Sequence, residues 1–381
     1  MSDVARTDRT WYGNWWWTVD RVSIGALLLL AVLGVILSFA ASPAIALREH
    51  YASSHFVVRQ LIFLGPALMM MLSLSLLQPD AIKRIAVVML VVMIVFLAAT
   101  PIIGVAVKGA RRWLDFGPLR VQPSEFVKPA FVVVLAWIFA QRQRIGPLKT
   151  YVAAAALFIV VAGLLVAEPD FGQTMLVSMT AGLMVFLTGV PWFVIMALGV
   201  TGLGGIGLAY ITFPHVASRI DRFLSPETGD TYQVDLARKA IENGGWFGVG
   251  AGNGHYKMRI PDAHADFVGA VGIEEFGAIA GIFLIMLFAL IVLRGFKRAF
   301  GDRDPFTQLA ASGLFAMFGL QAFINLGVNV HLLPAKGMTL PFISYGGSSL
   351  VAIGIGMGFA LALTRRRAMA RILRGKAQHG R

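Results

Sequence analysis

The chain has 381 residues, 57% of them hydrophobic and 14% charged, with a mean hydropathy of +0.74. Soluble domains carry about a quarter charged residues, so this is the composition of an integral membrane protein. The formal charge of +13 comes without any basic-aromatic motif for nucleic acid, and the lack of cysteine excludes disulfides, thiolate metal sites and cysteine nucleophiles.

The first apolar stretch runs from Ile24 to Ala41. It exceeds the roughly 7–15 residues of a signal-peptide core, and many spans follow, so it reads as an uncleaved first crossing. The run WYGNWWW before it is an interfacial aromatic belt. A crossing helix needs about 20 apolar residues. On that scale ten spans are predicted, at roughly 22–42, 56–77, 85–107, 122–141, 151–167, 172–189, 191–212, 268–293, 307–331 and 341–363. The expected organisation is an N-terminal cytoplasmic segment (1–21), one all-α ten-helix membrane domain (22–363) and a basic cytoplasmic tail (364–381). With the N-terminus inside, the cytoplasmic segments hold 19 of the 33 Lys and Arg residues, which agrees with the positive-inside rule.

The outer face is also basic. Between spans 3 and 4 stands VKGARRWLDFGPLRVQPSEFVKPAF, with Lys108, Arg111, Arg112, Arg120 and Lys128. Between spans 7 and 8 lies a long loop, 213–267, of a length that is usually functional. Inside it, YQVDLARKAIENGG puts Val234, Ala237 and Ile241 on one helical face, which predicts a short helix lying on the membrane. GVGAGNG (248–254) imitates a dinucleotide fingerprint, but no strand precedes it and that reading is rejected. No internal or inverted repeat of the transporter kind is visible.

Carboxylates gather at the entrance to span 8, in IPDAHADFVGAVGIEEFG (260–277). Asp266 there is either a helix N-cap or, in low-dielectric surroundings, a general base. Asp262 and His264 crowd the same entrance. Glu274 and Glu275 lie further in, where carboxylates are costly; a structural role is expected for at least one. Glu125 and Lys128, three apart in QPSEFVKP, form an intrahelical ion pair or face a cavity. Arg111 and Arg112 either snorkel to lipid phosphates or clamp a diphosphate. Glu168 and Asp170 in EPDFG make a tight turn or line the cavity. LPAKGMTLPFISYGGSS (333–349) supplies Lys336, Ser344 and a Gly-Gly pair that allows close helix contact. Together these residues describe an outward site with carboxylates opposite a basic rim, suited to a lipid with an anionic head.

The blocks GARRWLDFGPLRVQPSEFVK, EPDFGQT, PDAHADF, EEFG and LPAKGMTLPFISYGGSS resemble the signatures of the SEDS family, the shape, elongation, division and sporulation polytopic proteins, from span 1 to span 10. The resemblance implies a peptidoglycan glycosyltransferase that polymerises lipid II and releases undecaprenyl diphosphate. Asp266 falls on the family's essential aspartate. Trp113, Glu125, Lys128 and Lys336 fall on its motif positions, and PAKG is similar to the segment of the cell-division branch. Ala265, the DFVG run and His331 depart from the pattern. Also implied are a divalent cation (Mg or Mn) at the leaving diphosphate, a class B penicillin-binding protein of the FtsI type and other divisome proteins as partners, and a bacterial inner-membrane location at the septum. An elongation-type polymerase, a lipid II flippase and an inactive scaffold are the competing readings.

Overall fold

A membrane-spanning chain has to satisfy its backbone internally, so apolar stretches of crossing length become helices. The computed structural model describes residues 11–48, 50–52, 54–107, 110–117, 119–224, 232–261, 263–334 and 337–366. A short helix α1 (Trp11–Thr18) leads into α2 (Arg21–Arg48), α3 (His55–Leu74) and α4 (Pro79–Ile103). Three short strands follow, β1 (Val105–Val107), β2 (Ala110–Asp115) and β3 (Arg120–Val121). Then come α5 (Pro123–Ala140), α6 (Arg142–Ile145), α7 (Pro147–Ala167), α8 (Phe171–Leu187) and α9 (Trp192–Thr212). The long loop carries α10 (Pro214–Leu224), α11 (Tyr232–Gly244) and a 3-10 turn at Tyr256–Met258, and α12 (Val268–Ala299), α13 (Pro305–Asn329) and α14 (Gly347–Leu363) close the chain.

Eight of these helices are long and apolar enough to cross a membrane, and α8 and α14 are shorter apolar helices. Both of the latter have 17 residues, the lower limit for a crossing, so all ten predicted spans have their helix. Polar content accompanies burial in two of them. α5 and α13 carry Glu125, Lys128, Gln321, Asn325 and Asn329, all buried, and are themselves mostly buried. α9, whose polar side chains Thr201, Tyr210 and Thr212 bond within α9 or to α10, has no buried residue.

Two expectations are corrected. The third span ends at Ile103 rather than 107, because Gly104 turns extended and Val105–Val107 pairs with β2 in an antiparallel sheet, order β1-β2-β3. The basic stretch is therefore a small sheet on an otherwise helical protein. Helix α11 does not rest on lipid. Val234, Leu236, Ala237 and Ala240 are buried in a cluster with Ile260, Phe267, Ala270 and Val271, against α12.

Helix α12 is broken at Gly277 (φ 83°). The break frees backbone groups, and the glycine-rich loop satisfies them: Val249 and Gly250 amides donate to the Glu274 and Glu275 carbonyls at 3.0 and 3.1 Å, and the Ala278 amide to Gly245 at 2.8 Å. Gly248 is needed for this approach, since a Cβ there would lie 2.2 Å from the Glu275 carbonyl oxygen. The false dinucleotide motif is thus a splint for a kinked helix.

Candidate functional site

Asp266 stands one residue before Phe267, the N-cap of α12. One first-turn amide of α12 is served from α13: Asn329 accepts from the Ala270 amide at 3.0 Å. The backbone carbonyl of Asp266 accepts from Asn325 at 2.9 Å and from Asn329 at 3.0 Å. Its carboxylate borders Gly337, where a Cβ would lie 3.1 Å from Oδ2.

Around it the loop 263–267 is stapled to the loop before α14. Ser344 donates to the Ala265 carbonyl and accepts from the Leu340 amide, and the Tyr345 amide donates to the His264 carbonyl at 3.0 Å. The His264 ring packs between Phe56 (4.4 Å) and Tyr345 (5.3 Å). His264 and Ser344 are therefore brought to Asp266 as supports of its loop.

From this point a buried polar track crosses the bundle. Asn325 also donates to the Met338 carbonyl at 2.6 Å, and Gln321, one turn earlier on α13, donates to the Thr339 carbonyl at 3.0 Å. Gln321 accepts from Lys128 at 3.3 Å. Lys128 pairs with Glu125 at 2.8 Å, with both side chains buried. Gln173 donates to the other Glu125 oxygen at 2.5 Å, and its own amide is capped by Asp170. Gln122 reaches Asp170 at 3.4 Å. The expected intrahelical pair thus exists and is wired towards the Asp266 loop.

The other end of the track is acidic. Glu168 is 1% exposed; burial first, and then the Asp170 charge, pushes its carboxyl up to about 8 against the opposing influence of Thr100 and Arg112. Asp170 is raised by burial too, with Glu125 adding to it and Arg112, the Gln173 amide and Lys128 opposing. Arg112 is the neighbouring cation, and it donates to the Glu168 carbonyl at 3.2 Å and to that of Pro169 at 2.5 Å.

Arg111 and Arg112 do not form one clamp. Neighbours on a strand point to opposite faces, and Arg111 turns to the C-terminal carbonyls of α4, meeting Ile102 at 2.9 Å. Trp113 lies half-buried on β2 opposite Val105. Glu274 and Glu275 stand apart from the track. Glu274 accepts from the His255, Tyr256 and Lys257 amides at 2.8, 2.8 and 3.1 Å, and Glu275 pairs with buried Lys257. Both are structural, and Lys257 is the partner that sequence reasoning missed. Lys336, Asp262 and Lys108 lie outside the described residues. The missed members of the track had a signal: Gln321, Asn325 and Asn329 repeat every four residues in an apolar span, and amides at that depth need partners.

Residues 20–369 match the model of the cell cycle protein family FtsW/RodA/SpoVE. The chain is 46% identical to a probable peptidoglycan glycosyltransferase FtsW of Caulobacter vibrioides, over 95% of this chain and 93% of that one. It is 35% identical to the protein of the same name from Saccharophagus degradans, covering 87% and 89%. Among solved structures it resembles a chain of a peptidoglycan synthase complex described as coordinating polymerization and crosslinking (TM-score 0.78, 27% identity, 91% and 97% covered). It also resembles the rod shape determining protein RodA of Thermus thermophilus (TM-score 0.69, 27% identity, 92% and 97% covered). With one family model spanning nearly every helix and relatives this similar over almost their whole length, the chain belongs to the FtsW/RodA/SpoVE family of cell cycle proteins.

Proposed function

We propose that this protein is an inverting peptidoglycan glycosyltransferase that polymerises lipid II for septal wall synthesis. The observation that carries the reading is the fixing of Asp266: Asn325 and Asn329 hold its carbonyl, and its carboxylate borders Gly337. A base held this way takes the proton from the acceptor sugar's 4-hydroxyl as that oxygen attacks the donor's anomeric carbon. The new C–O bond forms as the bond to the diphosphate breaks, and undecaprenyl diphosphate leaves with the negative charge. One displacement inverts the anomeric centre, from an α-linked donor to a β-linked glycan.

Arg112 and Lys128 are the cations of the buried track, and they stabilise charge developing on the diphosphate. Arg111, with Trp113 behind it on the same strand, serves lipid contact at the rim. Lys336 is assigned to the diphosphate from the motif. Among the described residues no three acidic or histidine side chains converge on one point. The likeness to a synthase complex supports a class B penicillin-binding partner of the FtsI type. The apolar helices with the Lys and Arg distribution support an inner-membrane site with both termini cytoplasmic. Purified protein, with and without that partner, should convert lipid II to glycan strands. A product-free reaction under both conditions overturns the proposal. In cells, a cysteine at exposed Glu242 should react with an impermeant reagent while one at Lys149 should not; the reverse pattern inverts the topology.

A further inference from the structure

At the opposite end of α12 from Asp266 lies a second polar centre. A helix of 32 residues rises about 1.5 Å per residue, so its two ends reach opposite membrane faces even with the kink. Asp20, 1% exposed just before α2, accepts a hydrogen bond from Arg294 at 2.7 Å and forms an ion pair with Arg298 at 2.8 Å. Burial pushes its carboxyl up, but hydrogen bonds from Arg294 and Ser23 and the Arg298 charge hold it below its ordinary range. The ionised carboxylate fixes two guanidinium groups and neutralises one charge.

A cleft of about 230 Å³ opens beside it, lined by Trp17, Asp20, Arg21, Arg294, Arg298 and Arg366 among others. Among the described residues four arginines face one carboxylate, a positive excess. Its geometry is held by further contacts. Arg21 lies over the Trp16 and Trp17 rings at 5.4 and 4.8 Å. The Arg366 amide donates to the Thr18 carbonyl at 3.0 Å, and Arg365 donates to the Thr18 hydroxyl at 3.1 Å. The first membrane span begins at Arg21, which sets the cleft at headgroup level. Below it, Val22, Gly25 and Leu29 form an exposed apolar stripe, three and four residues apart, with open space over Gly25.

We propose that this cleft binds the headgroup phosphate of an anionic phospholipid, with an acyl chain lying along Val22, Gly25 and Leu29. Guanidinium groups match phosphate oxygens bidentately, and basic pockets between helices at a membrane face suit anionic lipids. A zwitterionic lipid would bring its own cation into a site already rich in them.

The test is native mass spectrometry of the full chain in detergent, titrated with dioleoylphosphatidylglycerol, dioleoylphosphatidylcholine or inorganic phosphate. Phosphatidylglycerol should be retained and the other two should not. Arg21 and Arg366 are exposed, and the ion pairs of Asp20 run to Arg294 and Arg298, so Arg21→Gln with Arg366→Gln leaves the buried centre intact. A basic residue facing an anionic lipid is worth about fivefold in affinity, so the double variant should bind roughly 10- to 25-fold more weakly. Arg144→Gln with Lys149→Gln, an equal charge loss on exposed residues at the same face, should change nothing. Equal loss in that control, or equal retention of phosphatidylcholine, would overturn the site. Retention of inorganic phosphate to the same extent would make it a free-anion site and overturn the lipid assignment.

Discussion

One side-chain amide joins the two loops of the site: Asn325 donates to the carbonyl of Asp266 at 2.9 Å and also to that of Met338 at 2.6 Å. Both carbonyls lie near the bundle interior, where an unmade hydrogen bond costs about 1–3 kcal/mol. Asn325→Leu fills the space and removes both bonds. Because Asn325 acts through Asp266, it is a positioning residue. The variant should lose about 10- to 100-fold in kcat with KM for lipid II changed less than threefold. A lowered melting temperature with unchanged kcat would reduce Asn325 to a structural role.

Lys257 and Glu275 form a buried pair, with side chains 6% and 1% exposed. Removing one partner strands the other charge, so Glu275→Gln should destabilise the protein by about 3–5 kcal/mol. Replacing both, Lys257→Met with Glu275→Leu, should recover most of that loss, since a buried ion pair gives little net stability over apolar packing. Thermal unfolding in detergent reads this directly. A double variant as unstable as the single one would mean that the pair has a further role at the kink.

The Glu168 carboxyl titrates near 8 when folded and near 4.5 in its ordinary state. Between those values the folded protein keeps a proton that the unfolded chain has released. Stability is therefore fully present below about pH 4.5, falls as pH rises towards 8, and levels off above. Asp170, raised in the same direction, adds to the slope. Glu168→Gln should flatten this decline and raise the melting temperature at alkaline pH. An unchanged slope would mean that other groups set it.

Much of this was legible in the sequence, and the boundary is physical. All ten spans were readable because hydropathy is local, and Glu125 with Lys128 was readable because three residues on a helix share a face. The Lys257–Glu275 pair was not, because it depends on the break at Gly277 that lets the glycine loop dock. α10 was missed although Pro214 opens it and Val216, Ile220 and Phe223 repeat at helical spacing. The small sheet was missed because its strands are two to six residues long and pair only with one another. The sequence leaves open whether Arg111 and Arg112 snorkel or act as one clamp, because only the strand sets them on opposite faces.

The decisive prediction concerns Asp266. Asn caps helices about as well as Asp, so a capping role would let Asp266→Asn remain active. The structure weakens that reading independently, because Asn329 already serves the Ala270 amide. A base, by contrast, loses its proton-accepting oxygen, and removal of a general base typically slows a reaction about 100- to 10,000-fold. The backbone carbonyl that Asn325 and Asn329 grip is untouched by the change, so the loop should keep its place. Asp266→Asn should therefore express normally, unfold at the wild-type temperature and still bind its penicillin-binding partner, yet make no glycan strands from lipid II. Lipid movement across a vesicle has no need of a proton acceptor here and should not change. Strand synthesis near the wild-type rate would take Asp266 out of the chemistry, and a folded but transport-defective variant would favour a flippase.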